Sequence, residues 1–192
     1  MKNKYKKYIY LFVLFDIVAI TLVLIYFFDL PAYILIISGL LLLLLGRLVN
    51  YPLRNFYRGF SALNGQDWEA AENFFQTFLR EIEEQPWKKR LMYYNFGNYT
   101  SDIDAMAHNN LGIVYLEKGA FDKAEQHLQR ALAIDDQYSK AYYNLAVVRL
   151  LQKRKEEAQS LFEKAVEHGF ENSSYDQFIS NVQKVYGEMN KF

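Results

Sequence analysis

Residues 105–138 read AMAHNNLGIVYLEKGAFDKAEQHLQRALAIDDQY. Two amphipathic helical patterns stand on either side of Lys118-Gly119, so this stretch is expected to form a helix, a tight turn and a second helix. Residues 139–172 follow the same plan 34 positions later. Leu111 then corresponds to Leu145, Gly112 to Ala146, Ala124 to Ala158, Leu128 to Phe162 and Ala131 to Ala165. A fixed offset of this size predicts helical hairpins stacked side by side. Small residues are expected where helices cross closely, and large ones between the hairpins.

These residues carry a family likeness: the chain resembles a tetratricopeptide repeat (TPR) protein. That pattern asks for an aromatic at its fourth position, Leu-Gly at the seventh and eighth, and Tyr at the eleventh, then for Ala, a large apolar residue and Ala in the second helix. The first repeat supplies His108, Leu111-Gly112, Tyr115, Ala124, Leu128 and Ala131, with Phe121 opening its second helix. The second supplies Tyr142, Leu145-Ala146, Ala158, Phe162 and Ala165, but has Arg149 where Tyr is expected. His108 and Asp136 depart in place of the aromatic and the closing Pro. The resemblance implies a scaffold rather than a reaction.

The formal net charge is zero, but it is unevenly placed. Residues 1–60 carry +5 and the remainder −5. An acidic body argues against nucleic acid as a partner, because phosphates require a basic face on the folded domain. The absence of cysteine excludes disulfides and thiolate metal sites.

Residues 1–7 form a basic head, and residues 8–28 are almost wholly apolar. At about 1.5 Å per residue that run matches the thickness of a hydrocarbon core, and it is too long for a cleaved signal peptide and lacks a small-residue cleavage site. Residues 32–49, broken from it by Asp29-Leu30-Pro31, are read as a second span ending at Arg47. Lysines before the first span and Arg47, Arg54 and Arg58 at or after the second place both termini in the cytoplasm by the positive-inside rule. The expected localisation is therefore an integral protein of a plasma or inner membrane, with the bilayer as a partner. Asp16 lies inside the first span and costs about 2.5–3.5 kcal/mol on insertion. Such a group either faces a partner or is protonated and bonded within the hairpin.

The expected fold is all-α. Residues 1–50 are the head and transmembrane helical hairpin, and 51–192 a cytoplasmic TPR-like α-solenoid of about three helix pairs. Residues 52–85 are a degenerate repeat, with Gly59 at the eighth position, Trp68 opening the second helix, and Ala71 and Phe75 at packing positions. The 86–104 segment is an aromatic insert, and Ser101 with Asp104 is read as the cap of the next helix. Residues 105–138 and 139–172 are the two clear repeats. Residues 173–192 are a capping helix with Phe178, Val182, Val185 and Tyr186 on one face.

No catalytic constellation, cofactor loop or metal-ligand spacing is evident. His108, His127 and His168 are far apart in sequence, His108 at a packing position and the other two on solvated faces. What remains is the concave groove that first helices line in stacked repeats. The resemblance places Met106, Asn109, Ile113, Leu116 and Glu117 there from one repeat, and Lys140, Tyr143, Val147, Leu150 and Leu151 from the next. Chaperone-binding members clamp a C-terminal carboxylate; Asn110, Lys140 and Asn144 fit that set in part, but Ile113 and Val147 replace the expected polar residue. A helix or extended peptide with apolar anchors suits the groove better. The groove is either free for such a partner or filled by residues 86–100 or the end helix. The expected function is a membrane-anchored adaptor or scaffold that binds a protein partner. The rival is a structural or assembly subunit of a membrane complex engaged through the hairpin, and self-association is possible in either.

Overall fold

The computed structural model describes residues 15–16, 18–23, 26–27, 31, 33–94, 100, 102–170 and 174–187. Described in chain order are α1 (Tyr33–Asn50), α2 (Arg54–Asn64), α3 (Trp68–Glu84), α4 (Ile103–Glu117), α5 (Phe121–Ile134), α6 (Ser139–Leu151), α7 (Lys155–Glu167) and α8 (Tyr175–Tyr186). Two 3-10 segments, Tyr51–Leu53 and Pro86–Tyr94, precede α2 and follow α3. Helices α2 and α3, α4 and α5, and α6 and α7 pair as hairpins. Each second helix packs on the first helix of the next pair, and α4 lies against both α2 and α6.

The crossings inside the pairs depend on small residues. A Cβ on Gly59 would sit 2.9 Å from the Phe75 ring, and one on Gly112 would sit 2.5 Å from Leu128 Cγ. These glycines let α2 and α4 approach their partners closely enough for the large side chain to fill the crossing. Ala71, Ala124, Ala131, Ala158 and Ala165 are fully buried on the opposing helices. One continuous core runs from Leu53 through Phe75, Phe78, Leu111, Leu128, Val148 and Phe162 to Phe178 and Val182.

A second device joins one pair to the next. Tyr115 of α4 donates to Glu72 of α3 at 2.7 Å, and Gln76 donates to the Tyr115 hydroxyl at 3.0 Å. Lys118 pairs with Glu72 at 2.6 Å and with Glu69 at 2.7 Å. One pair further on, Arg149 stands in the place of Tyr115 and grips Glu125 of α5 through two guanidinium nitrogens. Arg149 therefore departs from the expected Tyr while keeping its task.

The 86–104 segment is tied down at its start. Lys88 is buried and pairs with Glu81 at 3.1 Å, while the other oxygen of Glu81 accepts from Asn55 of α2 at 2.5 Å. Lys89 pairs with Asp104 at 2.5 Å, so Asp104 does not answer a cap. Ser101, the expected cap, lies outside the described residues, and α4 begins after Asp102. At α8 a complete capping box does form, Ser174 accepting from the Gln177 backbone and Gln177 accepting from that of Ser174.

The expected membrane hairpin is corrected. Among the described residues, no helix is long and apolar enough to cross a membrane. The unbroken apolar part of α1 stops at Gly46-Arg47, and from Tyr33 to that point it rises only about 20 Å, against a hydrocarbon core of about 30 Å. The expected first span, 8–28, falls largely outside the described residues. The integral-membrane localisation with two cytoplasmic termini is therefore not retained. The intramembrane reading of Asp16 goes with it. Helix α1 nonetheless leaves Ile36, Ile37, Leu40, Leu41 and Leu44 exposed.

The turn inside each pair places one residue in the left-handed region: Gln66 (φ 60°), Gly119 (φ 71°) and Lys153 (φ 64°). Only glycine enters that region without a steric penalty from Cβ, which is about 1–2 kcal/mol for other residues. Part of the gain from a glycine is lost to its freer unfolded chain. Lys153→Gly is thus expected to stabilise the fold by about 0.5–1 kcal/mol, read as a melting temperature about 2–4 °C higher. A lower melting temperature would show that the Lys153 side chain contributes more than its backbone costs.

Candidate functional site

Helices α4 and α6 lie alongside each other as the first helices of neighbouring pairs. Asn144 of α6 donates to Asn109 of α4 at 2.8 Å, a polar contact between them. Helix α4 is the central element, packed by α2, α3, α5 and α6, and this covers most of its faces. That is why Asn109 and Leu116, expected in the groove, are only 2% exposed. Val147 of α6, which packs against α4, α5 and α7, is 4% exposed, and Met106 and Leu151 are buried too. These side chains are buried and cannot meet a partner directly. Ile113, Glu117, Lys140, Tyr143 and Leu150 are half-buried, so they retain accessible surface.

Tyr143 and Glu117 are engaged by the last helix of the chain and the loop before it. Tyr143 stacks on Phe170 with ring centroids 4.3 Å apart and meets Phe178 edge-on at 5.3 Å. Glu117 accepts a hydrogen bond from the Tyr186 hydroxyl at 2.5 Å. The covering residues come from the end of the last hairpin and from α8. Sequence periodicity found Phe178, Val182 and Tyr186 but also put Val185 on that face, and Val185 is exposed. It gave no sign that Tyr186 reaches back to α4.

The carboxylate-clamp set is partly committed elsewhere. Asn110 is buried and accepts from Asn109 at 3.5 Å, while Asn144 is turned to Asn109. Among the described residues, no three groups of His, Cys, Asp or Glu converge as metal ligands would.

Two histidines that are distant in sequence meet inside one hairpin. His108 Nδ1 and His127 Nδ1 are 3.0 Å apart, and His127 stacks on Tyr115 at 5.3 Å. His127 is therefore half-buried, not on a solvated face as expected. His168 likewise stacks on Tyr142. Burial, then the neighbouring His108 and Arg130, pushes His127 down to about 4, and burial with Arg130 lowers His108. The contact also requires one ring to donate and the other to accept.

With its folded value depressed, His127 binds a proton in the unfolded chain before it does so in the folded one. Stability that is full above about 6.5 should fall as pH drops towards about 4. His127→Gln should flatten that fall between pH 6.5 and 5, read as melting temperature against pH beside the unaltered chain. Parallel curves would show that other groups set the acid response.

The sequence model of the tetratricopeptide repeat matches residues 104–168. Among solved structures, the TPR domain of Arabidopsis OM64 superposes with a TM-score of 0.54 at 21% identity, covering 71% of this chain and 98% of that one. The Sgt2 TPR domain from Aspergillus fumigatus gives a TM-score of 0.51 at 17% identity, covering 74% and 83% respectively. No curated protein sequence matches the chain. The matched segment, the shared fold and the repeat spacing agree: residues 104–168 match the tetratricopeptide repeat in sequence, and the described helices form an all-α solenoid with the fold of the TPR domains above.

Proposed function

We propose that this protein is a binding adaptor, or scaffold, whose groove along α4 and α6 holds a helix or extended peptide of a protein partner. Domains of this fold generally mediate protein–protein interaction. The observation that carries the reading here is the row Ile113, Lys140, Tyr143 and Leu150, half-buried on the first helices of two neighbouring pairs. Its floor is rigid, because Asn109, Leu116 and Val147 beneath it belong to packed, buried surface. A rigid floor with apolar rims lowers the ordering cost of binding and supplies anchor points for large side chains. No catalytic role is assigned to any residue.

Peptides selected on the full-length chain from a displayed library should recover ligands with apolar anchors. Ile113→Glu with Leu150→Glu should weaken those ligands at least tenfold while the helical circular dichroism signal is retained. Lys164→Glu, on α7 away from the groove row, should leave them unchanged. Ligands indifferent to the Ile113 and Leu150 changes would move the binding surface off the groove and sink this reading.

A further inference from the structure

Helix α8 is placed as a ligand of the groove would be, as well as a cap. A helix that only closed the last pair would rest on α6 and α7. The start of α8 does so: the Tyr175 hydroxyl donates to the Lys155 carbonyl at 3.0 Å, and the Phe178 ring stacks on Phe162 at 4.8 Å. From there it turns back across α6, where Phe178 meets Tyr143, and its last residue, Tyr186, reaches Glu117 at the end of α4. It thus engages the first helices of two pairs, the same two helices that present the groove row.

Its hold differs from that of the other helices. The pairs cross at Gly59 and Gly112 with backbones in near contact. Among the described residues, α8 makes no comparably close backbone crossing and is held by side chains. Among them are Phe178 and Val182, which are buried, and Tyr186. They stand at i, i+4 and i+8, one stripe of a helix. Helix α8 is also short, 12 residues, so despite its capping box it is marginal by itself and owes its order to its seat, which a similar helix can take.

We propose that α8 is a displaceable occupant of the groove, and that the partner is an amphipathic helix bearing the same stripe. This rests on the groove reading above. The first ring of the partner would enter between Phe162 and Tyr143, a branched aliphatic would follow one turn later, and a tyrosine hydroxyl would take the place of Tyr186 on Glu117. The partner replaces contacts that the chain already makes to itself, so binding exchanges one helix for another, and affinity is set by the difference between them.

The test uses the full-length chain and a fluorescent synthetic peptide of residues 174–187, SYDQFISNVQKVYG. Phe178→Ala with Tyr186→Phe loosens α8 without touching the groove. The peptide should bind this variant at least tenfold more tightly than the unaltered chain by anisotropy. Hydrogen exchange should quicken in α8 while α4 to α7 stay protected. Equal peptide binding to both chains, or loss of protection in α6 and α7 together with α8, would make α8 an integral cap and overturn the proposal. Should the double variant fold poorly, Tyr186→Phe alone removes only the hydrogen bond to Glu117; unchanged exchange in α8 would also overturn it. If these tests fail while the selected peptides still depend on Ile113 and Leu150, the groove reading stands without the exchange. Loss of both dependences would remove the groove itself.

Discussion

Everything in this fold depends on how closely two helices of a pair can cross. At Gly112 the space for a Cβ is already taken by Leu128, and at Gly59 by Phe75. The small residue sets the separation, and the large one fills what remains. Once that distance is set within each pair, the outer faces of the pairs have one shape, and a second pair can seat on the first. Repeats of this kind have no single centre to fold around, so each interface must be stable on its own terms. The unbroken row of buried residues from Leu53 to Val182 is the sum of those interfaces.

The glutamate contacts show how faithfully the pairs stack. Glu72 lies 43 residues before its partner Tyr115, whereas Glu125 lies 24 before Arg149. The difference is the length of the 86–104 insert. Residues that interrupt the chain therefore leave the register between pairs unaltered, and the start of the insert is held by Lys88 on Glu81 and Lys89 on Asp104. Burial raises the Glu72 carboxyl, but hydrogen bonds from Lys118 and Tyr115 overcome this and hold it below its ordinary value. Bonds from Arg149 do the same for Glu125, the larger effect there. Both glutamates are thus charged at neutral pH. Exchanging a phenol for a guanidinium keeps the acceptor and changes the donor, which is why the repeat tolerates Arg149.

The paired helices were legible because they rest on short-range signals. A 34-residue offset, small residues at the crossings and a turn at Lys118-Gly119 follow from periodicity and sterics, and they are local. The first pair was legible for the same reason, through Gly59 and Phe75, although Arg58 stands where the pattern asks for Leu and Ala62 where it asks for Tyr. The groove was less so. Periodicity separates an inner from an outer face of a helix, but α4 has neighbours on nearly every side. Asn109 and Leu116 were therefore read as lining a groove when they are buried. The histidine contact and the bond from Tyr186 to Glu117 join residues 19 and 69 positions apart, and no local pattern encodes such a meeting. The membrane reading erred on length: apolar composition was extended through Gly46-Arg47, where the apolar run of α1 ends.

The groove and the end of the chain cannot be considered separately. Tyr143 was the side chain best suited to anchor a partner, having a broad ring and a hydroxyl. In the folded chain that ring lies between Phe170 and Phe178. A partner that uses Tyr143 must either add to this aromatic cluster or take the place of one of its rings. Adding is disfavoured, since the ring is stacked on one side and met edge-on at another. Replacement costs little if the incoming side chain is itself aromatic, because the buried area and ring contacts are then largely restored. Under the proposed binding mode, the same packing that covers Tyr143 selects what can reach it. A chain with an aliphatic residue at position 178 would carry a more open groove but would lose this discrimination, and its partner would be set by apolar area alone.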